Sequence, residues 1–106
     1  MGLFDFFKKA DINAGYREFR SLKRAMLVDV REPAEYKSGH LQGARNIPVD
    51  SIEKATSGIQ DKDMPLFVYC LSGARARKAV SKLTKMGYTN VKSIGGINDY
   101  TGKLVK

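Results

Sequence analysis

Apolar positions follow two different rhythms along this chain. Short, nearly continuous apolar runs occur at Met26–Val30 (MLVDV) and Pro65–Tyr69, and Ala44–Pro48 and Val91–Ile94 read as further short strands. Between them lie segments whose apolar residues return every three or four positions. Runs of the first kind read as buried strands, and segments of the second as helices laying one face on a sheet. Strand-like and helix-like segments alternating in this way predict βαβ units and a mostly parallel sheet, an α/β fold.

The helices have recognisable ends. Asn13 to Arg24 is predicted helical, with Asn13 as N-cap and Tyr16, Phe19 and Leu22 facing inward. Glu32 and Pro33 open a short helix that Gly39 ends, with Pro33 at the first helical position, where its missing N–H costs nothing. Asp50 with Glu53 makes a variant capping box for a helix carrying Ile52 and Ala55 and stopping near Gly58. Asp61–Met64 is a turn. Ala76, Ala79, Val80, Leu83 and Met86 form one apolar stripe, and Gly87 supplies the stop. Gly95 and Gly96 close the last strand.

Composition narrows the class. A chain of 106 residues holds one core. With 42% apolar and 28% charged residues it is an ordinary globular protein, not a disordered or fibrous one. The single cysteine, Cys70, has no partner for an intramolecular disulfide, which suits a reducing, cytoplasmic setting. The net charge is +8, and from Arg75 to Lys106 there are eight basic residues against one acid, Asp99. Such a field draws in an anion. Nucleic acid is not expected, because basic and aromatic residues do not interleave and no finger or RNA-binding motif is present.

No run approaches the roughly 20 apolar residues of a membrane span. Residues 1–11 read as an N-terminal arm ahead of a single domain, 12–106. The arm has the wrong charge layout for a secretory signal, and Phe6 stands where a myristoylation motif needs Ser or Thr. Leu3, Phe4, Phe6 and Phe7 are expected to pack on the domain or a partner rather than on a membrane.

Candidate chemistry centres on YCLSGARARKA, Tyr69–Ala79. Cys70 is predicted at the carboxyl end of a parallel strand, where open α/β sheets place their ligands. The loop Leu71-Ser72-Gly73-Ala74-Arg75 then curls into a helix whose first amides lack helical partners and form a nest for an anion. The helix dipole adds positive charge there, Gly73 permits the turn, and Arg75 places a guanidinium at the rim. Each feature favours thiolate over thiol, and so a nucleophile. A buried packing cysteine is expected within a strand or on the stripe, not as the first loop residue. Four residues separate Cys70 from Arg75, whereas a phosphatase cradle uses five; the smaller loop suits a single sulfur atom.

These residues resemble the single-domain rhodanese-like sulfurtransferases over roughly Ile12 to Tyr100. LVDVREPAEYKSGHLQGARNIP (Leu27–Pro48) is similar to the family's first signature, VYCLSGARARKA to its active-site loop, and VKSIGGINDY (Val91–Tyr100) to its C-terminal strand and double-glycine turn. The resemblance implies a five-stranded, mostly parallel sheet flanked by helices, with Cys70 as catalytic cysteine and the loop from Leu71 through Ser72, Gly73 and Ala74 to Arg75 holding substrate. It also implies a reaction in which the thiolate takes sulfur from thiosulfate or another persulfide donor and passes it to a thiol, or to cyanide in an assay. No metal or organic cofactor is implied. Ala76 stands where the family often has Ser, and Tyr100 where it commonly has Trp; both changes bear on donor preference.

Other residues have plainer readings. Asp29 and Arg31 are expected to pair with neighbours such as Glu35 and hold loops, since a carboxylate beside the site would oppose an anionic donor. His40 reads as a turn residue rather than a base. Ser72 either donates to the sulfur or caps the next helix. Arg77, Lys78, Lys82 and Lys85 read as a solvated face, with anion steering a secondary benefit. Three other functions compete: a non-catalytic binding module of the same fold, a phosphatase or arsenate reductase, and a relay protein fed by a protein sulfur donor.

Overall fold

The computed structural model describes residues 10–56 and 58–106. The expectations for the arm's apolar residues and for the Ala55 side chain lie outside the described residues. Helix α1 spans Ile12–Ser21, strand β1 Met26–Asp29, α2 Pro33–Ser38 and β2 Arg45–Asn46. A 3-10 turn at Val49–Ser51 leads into α3, Ile52–Thr56, followed by β3 (Leu66–Cys70), α4 (Ala74–Lys85) and β4 (Val91–Gly96). A last 3-10 turn covers Ile97–Asp99.

The sheet runs β2-β1-β3-β4 with every pair parallel. From β1 the chain moves to one side to form β2, then returns to the other side of β1 to form β3. This reversal leaves a crevice beyond the carboxyl ends of β1 and β3, the usual ligand position in open α/β sheets. Cys70 lies at the end of β3, on that crevice.

Burial on both faces explains the apolar run LFVYC. Side chains alternate across a strand. Leu66, Val68 and Cys70 join Val28, Val30 and Ile52 in the core under α4, against Ala76, Ala79 and Leu83. Phe67 and Tyr69 join Leu27 in the opposite core, against Ile12 and Tyr16 of α1. Period two therefore aims the Cys70 side chain at the face that carries α4.

Several boundaries differ from expectation. Among the described residues four strands form rather than five; near the C-terminus an isolated antiparallel bridge, His40 to Val105, is made. The N-cap of α1 is Asp11, not Asn13, because its carboxylate accepts from the amides of Asn13 at 3.0 Å and Ala14 at 3.3 Å. Asn13 instead reaches across to the Asp99 carbonyl and to Thr101. The helix ends three residues before Arg24, and Leu22 is left 41% exposed. The expected Asp50 capping box is absent, since Asp50 is taken up in the 3-10 turn after Pro48. A capping box does form at α2, where Glu35 accepts from the Glu32 amide at 2.9 Å.

Candidate active site

Cys70 is the last residue of β3 rather than the first of the loop, and it is 1% exposed. Burial alone would suit an inert packing residue. Its surroundings are polar on one side, however. Cys70 Sγ accepts from the Gly73 amide at 3.0 Å and from the Ala76 amide at 3.4 Å. Helix α4 has Gly73 at its N-cap and no side-chain capping bond. The sulfur takes the place of a capping oxygen, satisfying a first-turn amide that the helical ladder leaves over. Among the described residues no backbone carbonyl accepts from the Ala74 or Arg75 amides either. The loop therefore gathers several N–H donors at the positive end of a helix dipole, around one sulfur atom.

Two glycines make the loop possible. Gly73 has φ of +112°, a left-handed conformation that side-chain-bearing residues rarely adopt. Gly96 lies opposite Cys70 in the sheet register. A Cβ there would collide with the Leu71 carbonyl oxygen and lie 2.6 Å from Ser72 Cα. The end of β4 can thus pass directly against the cysteine loop, and Asn98 N–H donates to the Leu71 carbonyl at 3.1 Å.

Of the residues singled out from sequence, Leu71 through Arg75 all lie on this loop, but not in equal roles. The backbone of Gly73 touches the sulfur. The Ser72 hydroxyl makes no hydrogen bond to it, and the helix cap falls to Gly73, not Ser72. Leu71 is exposed at the rim. The Arg75 guanidinium does not stand free: Nη1 and Nη2 donate to the two carboxylate oxygens of Glu35 at 2.7 and 3.0 Å. That pair, with the Glu32 amide as a lesser contributor, holds the Glu35 carboxyl down at about 2.

The expected pairing of Arg31 with Glu35 is replaced by a closer one. Arg31 and Asp29 are both buried, and Arg31 Nη2 donates to Asp29 at 2.7 Å and to the Gly39 carbonyl at 2.7 Å. Asp29 also accepts the Arg31 amide at 2.9 Å. This pair ties the end of β1 to the end of α2 and touches no sulfur, in line with the structural reading. Burial raises the neighbouring Tyr69 phenol far above its ordinary range, and its hydroxyl accepts from the Leu41 amide at 3.1 Å. His40 stacks on Tyr36 with ring centroids 3.7 Å apart, and Nδ1 donates to the Tyr36 carbonyl at 2.8 Å. It serves its own turn.

Sequence reasoning missed Glu35 as the partner of Arg75 and the Ala76 amide as a sulfur donor. On sequence, Glu35 is set beside Asp29 and Arg31, and nothing local reports a partner 40 positions away. Among the described residues no three His, Cys, Asp or Glu side chains gather closely enough for a metal ion, and no helix is long and apolar enough to cross a membrane.

Comparison with known proteins bears on the family and the fold. Thiosulfate sulfurtransferase PspE of Escherichia coli (strain K12) is 39% identical over 80 residues, covering 74% of this chain and 77% of that protein. A tRNA uridine(34) hydroxylase of Erwinia tasmaniensis is 36% identical over 101 residues, 90% of this chain but 28% of the hydroxylase. A solved E. coli structure described as a rhodanese with anions matches with a TM-score of 0.70 at 37% identity, over 77% of this chain and 98% of that one. The family model for the rhodanese-like domain matches residues 14–103, the span that carries the cysteine loop and all of both cores but Ile12. With motif, sheet order and relatives in agreement, the chain belongs to the rhodanese-like domain family.

Proposed function

We propose that the protein is a sulfurtransferase that carries a sulfane sulfur on Cys70, taking it from thiosulfate or a persulfide. The observation that carries this reading is the sulfur atom of Cys70 held by the Gly73 and Ala76 amides in a loop of four intervening residues. The Cys70 thiolate attacks the outer sulfur of thiosulfate. A bond forms between Sγ and that sulfur, the donor's own sulfur–sulfur bond breaks, and sulfite leaves with the electron pair. An acceptor thiolate, or cyanide in an assay, then attacks the terminal sulfur of the persulfide and restores the Cys70 thiolate. Splitting the transfer in this way is covalent catalysis, and the loop amides stabilise both anionic sulfur states.

The tight cradle favours sulfur over a phosphoryl or arsenate group. A buried thiol enclosed by core side chains and two amides takes a terminal atom more readily than a tetrahedral oxyanion. The free thiol suits a reducing, cytoplasmic compartment. Thiosulfate and a thiol acceptor are the small-molecule partners, with a protein donor or acceptor as the second source.

The test is intact mass after exposure to thiosulfate, beside Cys70→Ser. Gain of one sulfur atom by the wild type alone, removed by cyanide, is the expected result. No gain, with the thiol still open to alkylation, overturns thiosulfate as donor.

A further inference from the structure

On sequence, Arg75 was the cation expected at the rim and Arg77 part of a solvated face. The structure reverses their availability. Both outer nitrogens of Arg75 are engaged by Glu35. Arg77 is exposed and makes no ion pair among the described residues. Its guanidinium lies against the cysteine loop: a Cβ built on Gly73 would stand 3.3 Å from Arg77 Nη1 and 3.9 Å from the Gly95 backbone. Gly73 is the residue whose amide donates to Cys70 Sγ at 3.0 Å. The free guanidinium is therefore one residue removed from the sulfur, at the seam between the loop and the end of β4.

Its position in the helix has a physical meaning as well. The first turn of α4 holds no acid, and a cation near a helix N-terminus opposes the macrodipole. Arg75 has that cost offset by Glu35, whereas Arg77 has no such compensation among the described residues. An uncompensated cation beside a ring of amides is suited to meeting a dianion. Thiosulfate shares its two negative charges between the outer sulfur and three sulfonate oxygens that leave as sulfite, and a planar guanidinium pairs well with the sulfonate end.

We infer that Arg77, rather than Arg75, binds the anionic end of the donor and so sets the preference for thiosulfate. The inference rests on the sulfurtransferase reading above. In a two-step mechanism the kcat/KM for thiosulfate reports sulfur loading alone, and the kcat/KM for cyanide reports unloading alone, so the two half-reactions separate the possibilities. Arg77→Gln is expected to lower kcat/KM for thiosulfate about tenfold and to leave that for cyanide within about twofold. Arg77→Lys recovers part of the loss. Lys78→Gln removes the same charge one position on and changes thiosulfate loading by less than about threefold.

Unchanged thiosulfate loading in Arg77→Gln overturns the inference while leaving the sulfurtransferase reading intact. Equal losses in Arg77→Gln and Lys78→Gln also overturn it, because a general basic field then accounts for the effect. Failure of the wild type to load from thiosulfate overturns the reading on which the inference rests. Arg77 is exposed and its charge opposes the helix dipole, so the urea midpoint of Arg77→Gln is expected at or slightly above that of the wild type.

Discussion

Replacing Glu35 by Gln isolates the clamp between α2 and the cysteine loop. Gln retains an oxygen for the Glu32 amide but loses the charge that holds Arg75. The Glu35 carboxyl lies at about 2 against a usual 4.5, chiefly through its bonds to Arg75. Taken at face value that shift is worth about 3 kcal/mol. The two side chains are 33% and 30% exposed, and solvent screening reduces the contribution to about 1–1.5 kcal/mol. The folded-state pKa is depressed, so the contribution is fully present well above pH 4.5 and is lost as pH falls toward 2. At pH 3.5 about three quarters of a contribution of that size is gone. Urea denaturation of wild type and Glu35→Gln at pH 7 and pH 3.5 reads this directly. The variant is expected to be less stable by about 1–1.5 kcal/mol at pH 7, with most of that gap, about three quarters, closed at pH 3.5. Equal stability at pH 7, or a gap that does not narrow with acid, refutes the pairing as an energetic clamp.

Three further substitutions probe other parts of the scaffold. Gly96→Ala drives a methyl into the Leu71 carbonyl and Ser72 Cα; a stability loss of about 1–3 kcal/mol and a roughly hundredfold fall in sulfur transfer are expected from denaturation and steady-state rates. Activity near wild type would show that the loop tolerates displacement. Arg31→Ala leaves the buried Asp29 carboxylate unpaired, and denaturation should register a loss of about 3–5 kcal/mol. A loss under about 1 kcal/mol would remove this pair from the account of stability. Asp11→Ala removes the side-chain cap of α1 and is expected to cost about 1 kcal/mol with the sulfur-loading rate unchanged; a rate loss would tie α1 to the site.

The α/β class, the position of each helix and strand, and the cysteine loop were all legible without coordinates. The information is local there. An apolar run such as LFVYC has one stable environment, the double-faced interior of a parallel sheet, and the alanine stripe of α4 follows from helical period alone. Cys70 followed by Ser72 and Gly73 marks a strand entering a helix, because glycine is needed where the backbone turns left-handed. Helix ends were less legible. Asp11 and Asn13 both have side chains able to cap α1, and the choice was made by Asn13 finding partners at Asp99 and Thr101, 86 and 88 positions away.

Only the tertiary structure decided what the charged residues do. A guanidinium reaches several ångströms in any direction, so its role depends on which carboxylate the fold brings near it. Folding placed Glu35 against Arg75, sealed Arg31 against Asp29 in a buried site, and set Arg77 beside Gly73 with no ion-pair partner among the described residues. Local sequence sets the backbone and the apolar faces, since both depend on neighbours within a few residues. The electrostatics of the site depend on residues 40 positions apart, and their meeting is a product of the sheet order.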